Sequence, residues 1–108
     1  MHYMNAATAL AADDLDKAKA SLSALAKEST GEMKTLAQAA ADTGDIAATR
    51  ERFKALSVVA TGMELPADYA VAYCPMYKGG SKWVQKKTDT LANPYYGKAM
   101  LTCGSFVN

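Results

Sequence analysis

Apolar side chains recur every three or four positions through the first sixty or so residues, the spacing of one buried helical face. Tyr3, Ala7 and Leu10 share a face of a short opening helix. Asp13 or Asp14 can cap a second, in which Leu15, Ala18, Leu22 and Leu25 repeat. Ser29-Thr30-Gly31 breaks that pattern, and Thr30 starts a third helix without a full capping box. Leu36, Ala37 and Ala40 carry it to a stop at Thr43-Gly44. Asp45 caps a fourth, with Ile46, Phe53, Leu56, Val59 and Ala60 inward, closed by Gly62 and Pro66.

After Pro66 the pattern changes. Tyr69, Val71 and Tyr73 alternate like one short extended segment, but no partner strand is evident. Glycines 79 and 80, Pro75, Pro94 and Gly97 describe an irregular stretch. Trp83-Val84-Gln85 reads as a helical turn, and Asn93-Pro94 as the cap of a short helix through Met100. The fold expected is all-α: a four-helix bundle, residues 1–65, with an irregular segment, about 69–108, wrapped over it as one domain.

Size and charge narrow the function. A chain of 108 residues makes one domain, and its 50% apolar content argues against disorder. A net charge of +1 excludes the strong basic excess of a nucleic-acid binder. Seven basic and ten acidic side chains precede Met76, whereas five lysines (78, 82, 86, 87, 98) face Asp89 alone after it. That basic end is a solvated face or a docking surface for an acidic partner. No apolar run is long enough to span a bilayer. Met1-His2-Tyr3-Met4 is no secretory signal, so an exported form is expected to have lost one.

Four sulfur side chains fall in two tight pairs, Cys74-Pro75-Met76 and Met100-Leu101-Thr102-Cys103. Thiolate and thioether are soft donors, the set that selects copper(I) over hard cations. No zinc, calcium or phosphate motif and no Ser/His/Asp set accompanies them, so no enzyme is indicated. Spacing alone leaves three readings open: a metal site, a disulfide, or unrelated thiols. Closing that loop of about 29 residues as a disulfide would stabilise by roughly 3–4 kcal/mol.

Tyr73-Cys74-Pro75-Met76, then Trp83, then Asn93-Pro94-Tyr95-Tyr96-Gly97-Lys98-Ala99-Met100-Leu101-Thr102-Cys103-Gly104 resembles the signature of a bacterial domain family of formerly unknown function. That family occurs alone or fused to the periplasmic adaptor (membrane-fusion) subunits of heavy-metal efflux systems. The helical part is similar too, in Asp13-Asp14-Leu15 with Lys17-Ala18 and in Arg52 through Ser57, so the likeness covers nearly the whole chain. The resemblance implies a periplasmic helical-bundle domain that binds copper(I), with Cys74, Met76, Met100 and Cys103 as the ligating positions. It also implies an efflux adaptor or transporter as partner.

Other residues carry weaker expectations. Tyr73, Trp83, Tyr95 and Tyr96 pack the irregular segment or shield a metal from water. His2 and Met4 become extra ligands only if the first helix lies beside Cys74. Met33 and Met63 are read as core or surface. The rival to a copper carrier is a structural interaction module stapled by a Cys74–Cys103 disulfide, without metal.

Overall fold

The computed structural model describes residues 2–107. Four helices open the chain: α1 (His2–Ala11), α2 (Leu15–Glu28), α3 (Gly31–Ala41) and α4 (Ile46–Thr61). Local chemistry sets their ends. The Asp14 carboxylate accepts from the Lys17 N–H at 3.1 Å, and Asp45 accepts from that of Ala48 at 2.8 Å. Both satisfy donors that a first helical turn leaves free. Each helix packs on the next, α1 on α2, α2 on α3 and α3 on α4.

Alanine dominates these contacts. Ala6, Ala18, Ala37 and Ala40 are fully buried beside Leu10, Leu22, Phe53 and Leu56. Such small side chains let backbones approach closely but bury little apolar area each, at about 25 cal/mol per Å². The large core residues therefore carry a disproportionate share. The Tyr3 ring stacks on Phe53 at 4.9 Å, and its hydroxyl shares a 2.7 Å hydrogen bond with Ser57.

The all-α expectation is incorrect: the second half of the chain builds a three-stranded antiparallel sheet, so the fold mixes α and β. Its strands are β1 (Tyr69–Cys74), β2 (Ser81–Lys86) and β3 (Ser105–Phe106), in the order β2-β1-β3. Tyr69 faces Lys86 and Cys74 faces Ser81 along the first pairing, while Ala72 and Tyr73 face Phe106 and Ser105 along the second. The extended segment at Tyr69–Tyr73 therefore has two partners. Trp83-Val84-Gln85 is the middle of β2 rather than a helical turn, and β2 lies against α4 and α1. The expected helix from Asn93 to Met100 reduces to a 3₁₀ turn over Gly97–Met100.

The reason is two-sided burial. Val84 faces the helices, its N–H donating to the Tyr3 hydroxyl at 3.3 Å. Trp83 and Gln85 point to the opposite face, as strand alternation demands. There Gln85 bonds the backbone of Thr90 and Ala92 at 3.2 and 3.0 Å. Three successive buried side chains hide the strand period. Lys78, Gly79 and Gly80, all with positive φ, turn the chain between β1 and β2.

Gly104 precedes β3 at φ +129, where a Cβ would lie 2.6 Å from the Tyr73 carbonyl oxygen and 3.2 Å from the Trp83 ring. Neither backbone nor a buried indole can give way. Gly104→Ala is therefore expected to destabilise by about 1–3 kcal/mol in denaturant unfolding. A variant as stable as the parent would contradict this close approach.

Candidate metal centre

Cys74 ends β1 and is fully buried. Cys103 follows the Gly97–Met100 turn and is half-buried. The two sulfurs are 3.9 Å apart, both as free thiols. That separation is far longer than a disulfide bond of about 2.05 Å. Two thiolates holding one ion at about 2.3 Å in tetrahedral geometry would themselves stand about 3.8 Å apart. The observed separation is compatible with a shared ion, and equally with two thiols in van der Waals contact.

Met76 and Met100 lie two and three residues from these cysteines in the chain. Their side chains are 63% and 38% exposed, so neither fills the core. The Cys103 N–H donates to the Met100 carbonyl at 3.0 Å, closing the turn that joins them. Both thioethers sit on flexible stems of three rotatable bonds, next to the thiols in the chain. Among the described residues no three His, Cys, Asp or Glu side chains converge, so a metal here would depend on sulfur.

Desolvation, and then the neighbouring Cys74 thiol, push the Cys103 thiol above its ordinary value of 9.0. Cys103 is thus protonated at neutral pH, and an ion must displace its proton.

Asn93 holds the segment that carries Cys103. It is completely buried, and its Nδ2 donates to the Cys103 carbonyl at 2.9 Å. Its Oδ1 accepts from the N–H groups of Tyr95 and Tyr96 at 2.8 and 3.2 Å. Its own N–H donates to the Leu101 carbonyl at 2.7 Å. One amide thereby organises the segment from Tyr95 to Cys103.

Arg50 of α4 ties that segment to the helices. Its Nε donates to the Pro94 carbonyl at 2.8 Å, and its Nη2 to the Leu10 carbonyl at 2.7 Å and to Asp13 Oδ1 at 2.6 Å. Asp13 Oδ2 accepts from the Lys98 N–H at 3.1 Å. Gly97, at φ +57, is obligatory here, since a Cβ would collide with Asp13 and Arg50.

Aromatic rings complete the support. Tyr95 packs edge-on to Trp83 at 6.2 Å and against Phe53 at 6.1 Å, and its hydroxyl donates to the Lys82 carbonyl at 2.5 Å. Burial pushes its phenol up, so it remains a neutral donor. Tyr77 stacks on Tyr95 at 4.8 Å and meets Tyr96 edge-on at 5.7 Å. Tyr73 instead faces α4 beside Lys54 and Val58. Trp83 adjoins the site through Gly104, next to Cys103.

The structure does not draw His2 and Met4 to the cysteines. The His2 ring contacts Glu28, and Met4 lies by Tyr69, at the other end of β1 from Cys74. Sequence reasoning missed Arg50, Asn93 as a scaffold and Tyr77. Only Asn93, through its repeated contacts around an Asn-Pro turn, had a local signal.

No protein-family model, no curated protein and no solved structure matches the chain. Among the described residues no helix is long and apolar enough to cross a membrane.

Arg50 and the Lys98 N–H hold the Asp13 carboxyl below its ordinary value of 3.8. A depressed carboxylate stabilises the fold above its unfolded value and loses that contribution as pH falls through its folded one. The parent is therefore expected to melt above Asp13→Asn at neutral pH and to lose this advantage below about pH 4. Asn also tolerates the positive φ at position 13. A constant gap in melting temperature from pH 7 to pH 2 would contradict the ion pair's role.

Proposed function

We propose that this domain is a copper(I) carrier of the periplasm, taking the ion between the Cys74 and Cys103 thiolates and completing its shell with Met76 and Met100. The 3.9 Å approach of two thiols from segments 29 residues apart is the observation that carries this reading. Two thiolates supply negative charge and strong soft donors, and the thioethers add donors that need no deprotonation. The exposed position of both methionines suits an ion that must be passed on. The periplasmic setting is proposed from the resemblance to the efflux-associated family, which rests on the motifs Cys-Pro-Met and Asn-Pro-Tyr-x-Gly-x-x-Met-x-x-Cys-Gly.

Buffering or transfer of copper, rather than catalysis, is the activity proposed. Lys82, paired with Tyr73 on the neighbouring strand, and Lys98, next but one to Met100, are exposed basic side chains of this half of the chain. They would receive an acidic face of an efflux adaptor or transporter.

The same closeness supports a second reading, in which oxidation joins Cys74 and Cys103 into a permanent staple of an interaction module. One experiment separates the two. Reduced protein should show two free thiols and bind one copper(I), and oxidised protein should lose that affinity. Oxidised protein that binds no copper yet melts much higher, with no copper uptake after reduction, would establish the staple instead.

The methionines have their own test. Met76→Leu and Met100→Leu preserve volume and should alter stability by less than about 1.5 kcal/mol. Each should weaken copper(I) binding in competition with a chelator and make zinc a better competitor. Binding should also fall as pH drops, because both thiols must release protons. Unchanged affinity in both variants would reduce the donor set to the cysteines.

A further inference from the structure

None of the five described methionines is buried in the core. Leucine, phenylalanine and alanine fill that space. Met76 and Met100 lie close to the two cysteines in the chain. The other three, Met4 of α1, Met33 of α3 and Met63 after α4, line one open groove of about 310 Å³. Leu25, Leu65, Tyr69 and Val84 form its apolar wall, and Glu64 supplies a carboxylate. Tyr69 places this groove at the opposite end of β1 from Cys74, about 17 Å away along a six-residue strand.

We infer that the groove is a second soft-metal site, in which the Met4, Met33 and Met63 thioethers take copper(I) or silver(I). Three neutral sulfur donors from three separate elements line one mainly apolar groove, whose oxygen donors are the Glu64 carboxylate and the hydroxyls of Tyr3, Ser29 and Tyr69. Softness then decides selectivity, and calcium, magnesium and zinc are disfavoured because Glu64 is the one anionic donor and no imidazole lines the groove. Glu64 balances the single positive charge without entering the sulfur set. Met63 is 57% exposed and Met4 and Met33 are half-buried, so an ion can enter from solvent and the flexible thioethers can close on it. Thioethers carry no proton at any relevant pH. The groove therefore holds its ion in acid, where the thiols near Cys103 surrender theirs. This site shares its choice of ion with the copper reading above, but none of its residues.

The test uses the unmodified protein with ¹³C-labelled methionine methyl groups, titrated with silver(I) as a redox-inert stand-in for copper(I). The Met4, Met33 and Met63 methyl signals should shift together and saturate at one equivalent for that group, with the same affinity at pH 5 and pH 7.5. Met33→Leu should weaken this binding about tenfold or more and diminish the shifts at Met4 and Met63 alike. No shift in the three signals, or a shift of Met63 alone, would overturn the proposal. So would full retention of the Met4 and Met63 shifts in Met33→Leu. The Met76 and Met100 signals report the cysteine site in the same spectra, so either site can fail without the other.

Discussion

Everything proposed for the sulfur segment depends on the buried Asn93 amide. It sits within a loop that also has its own backbone hydrogen bonds, and it joins Tyr95, Tyr96 and Cys103 through three side-chain hydrogen bonds. Stripping that amide would strand buried N–H and C=O groups at about 1–3 kcal/mol each. For a domain of this size, with stability of roughly 5–15 kcal/mol, that is a large fraction. Cys103 faces Cys74 because the carbonyl of Cys103 is anchored there. The thiol pair is a consequence of a satisfied amide rather than of sulfur attraction, since an S–H donor is weak.

A second constraint joins the two halves. An alanine-rich bundle buries modest area per residue, so the helices gain much of their large-ring packing from the sheet and loop beyond them. Phe53 illustrates this by touching Tyr3 on one side and Tyr95 on the other. Arg50 does the same with polar contacts, gripping Leu10 and Asp13 together with Pro94. Its side chain is only 12% exposed, so its bonds are partly shielded from water. Helices and sulfur segment therefore fold as one unit, and movement of α4 would be felt at the cysteines through Pro94.

The helices were readable in the chain because their signals are local. Periodicity, Asp14 and Asp45 caps and the breaks at Thr30 and Gly44 each act within four residues, and all four helices formed as expected. The sheet was not readable for the opposite reason. Tyr69, Val71 and Tyr73 alternate visibly, but their partner Trp83-Val84-Gln85 is covered on both faces and shows no alternation. Gly79-Gly80 between two β-prone stretches was the available hairpin signal. At the site, the four sulfur positions stood out by chemistry, whereas the meeting of Cys74 with Cys103 did not follow from spacing. Arg50 reaches its partners across 37 to 44 residues, beyond any sequence window.

The central claim is that an ion bridges the two thiols. X-ray absorption at the copper edge tests it most directly, on reduced protein loaded with one copper(I). The account predicts a first coordination shell of sulfur alone, lost when Cys74 and Cys103 are both replaced by serine. A shell of nitrogen or oxygen, or a sulfur shell that survives the double replacement, would contradict it.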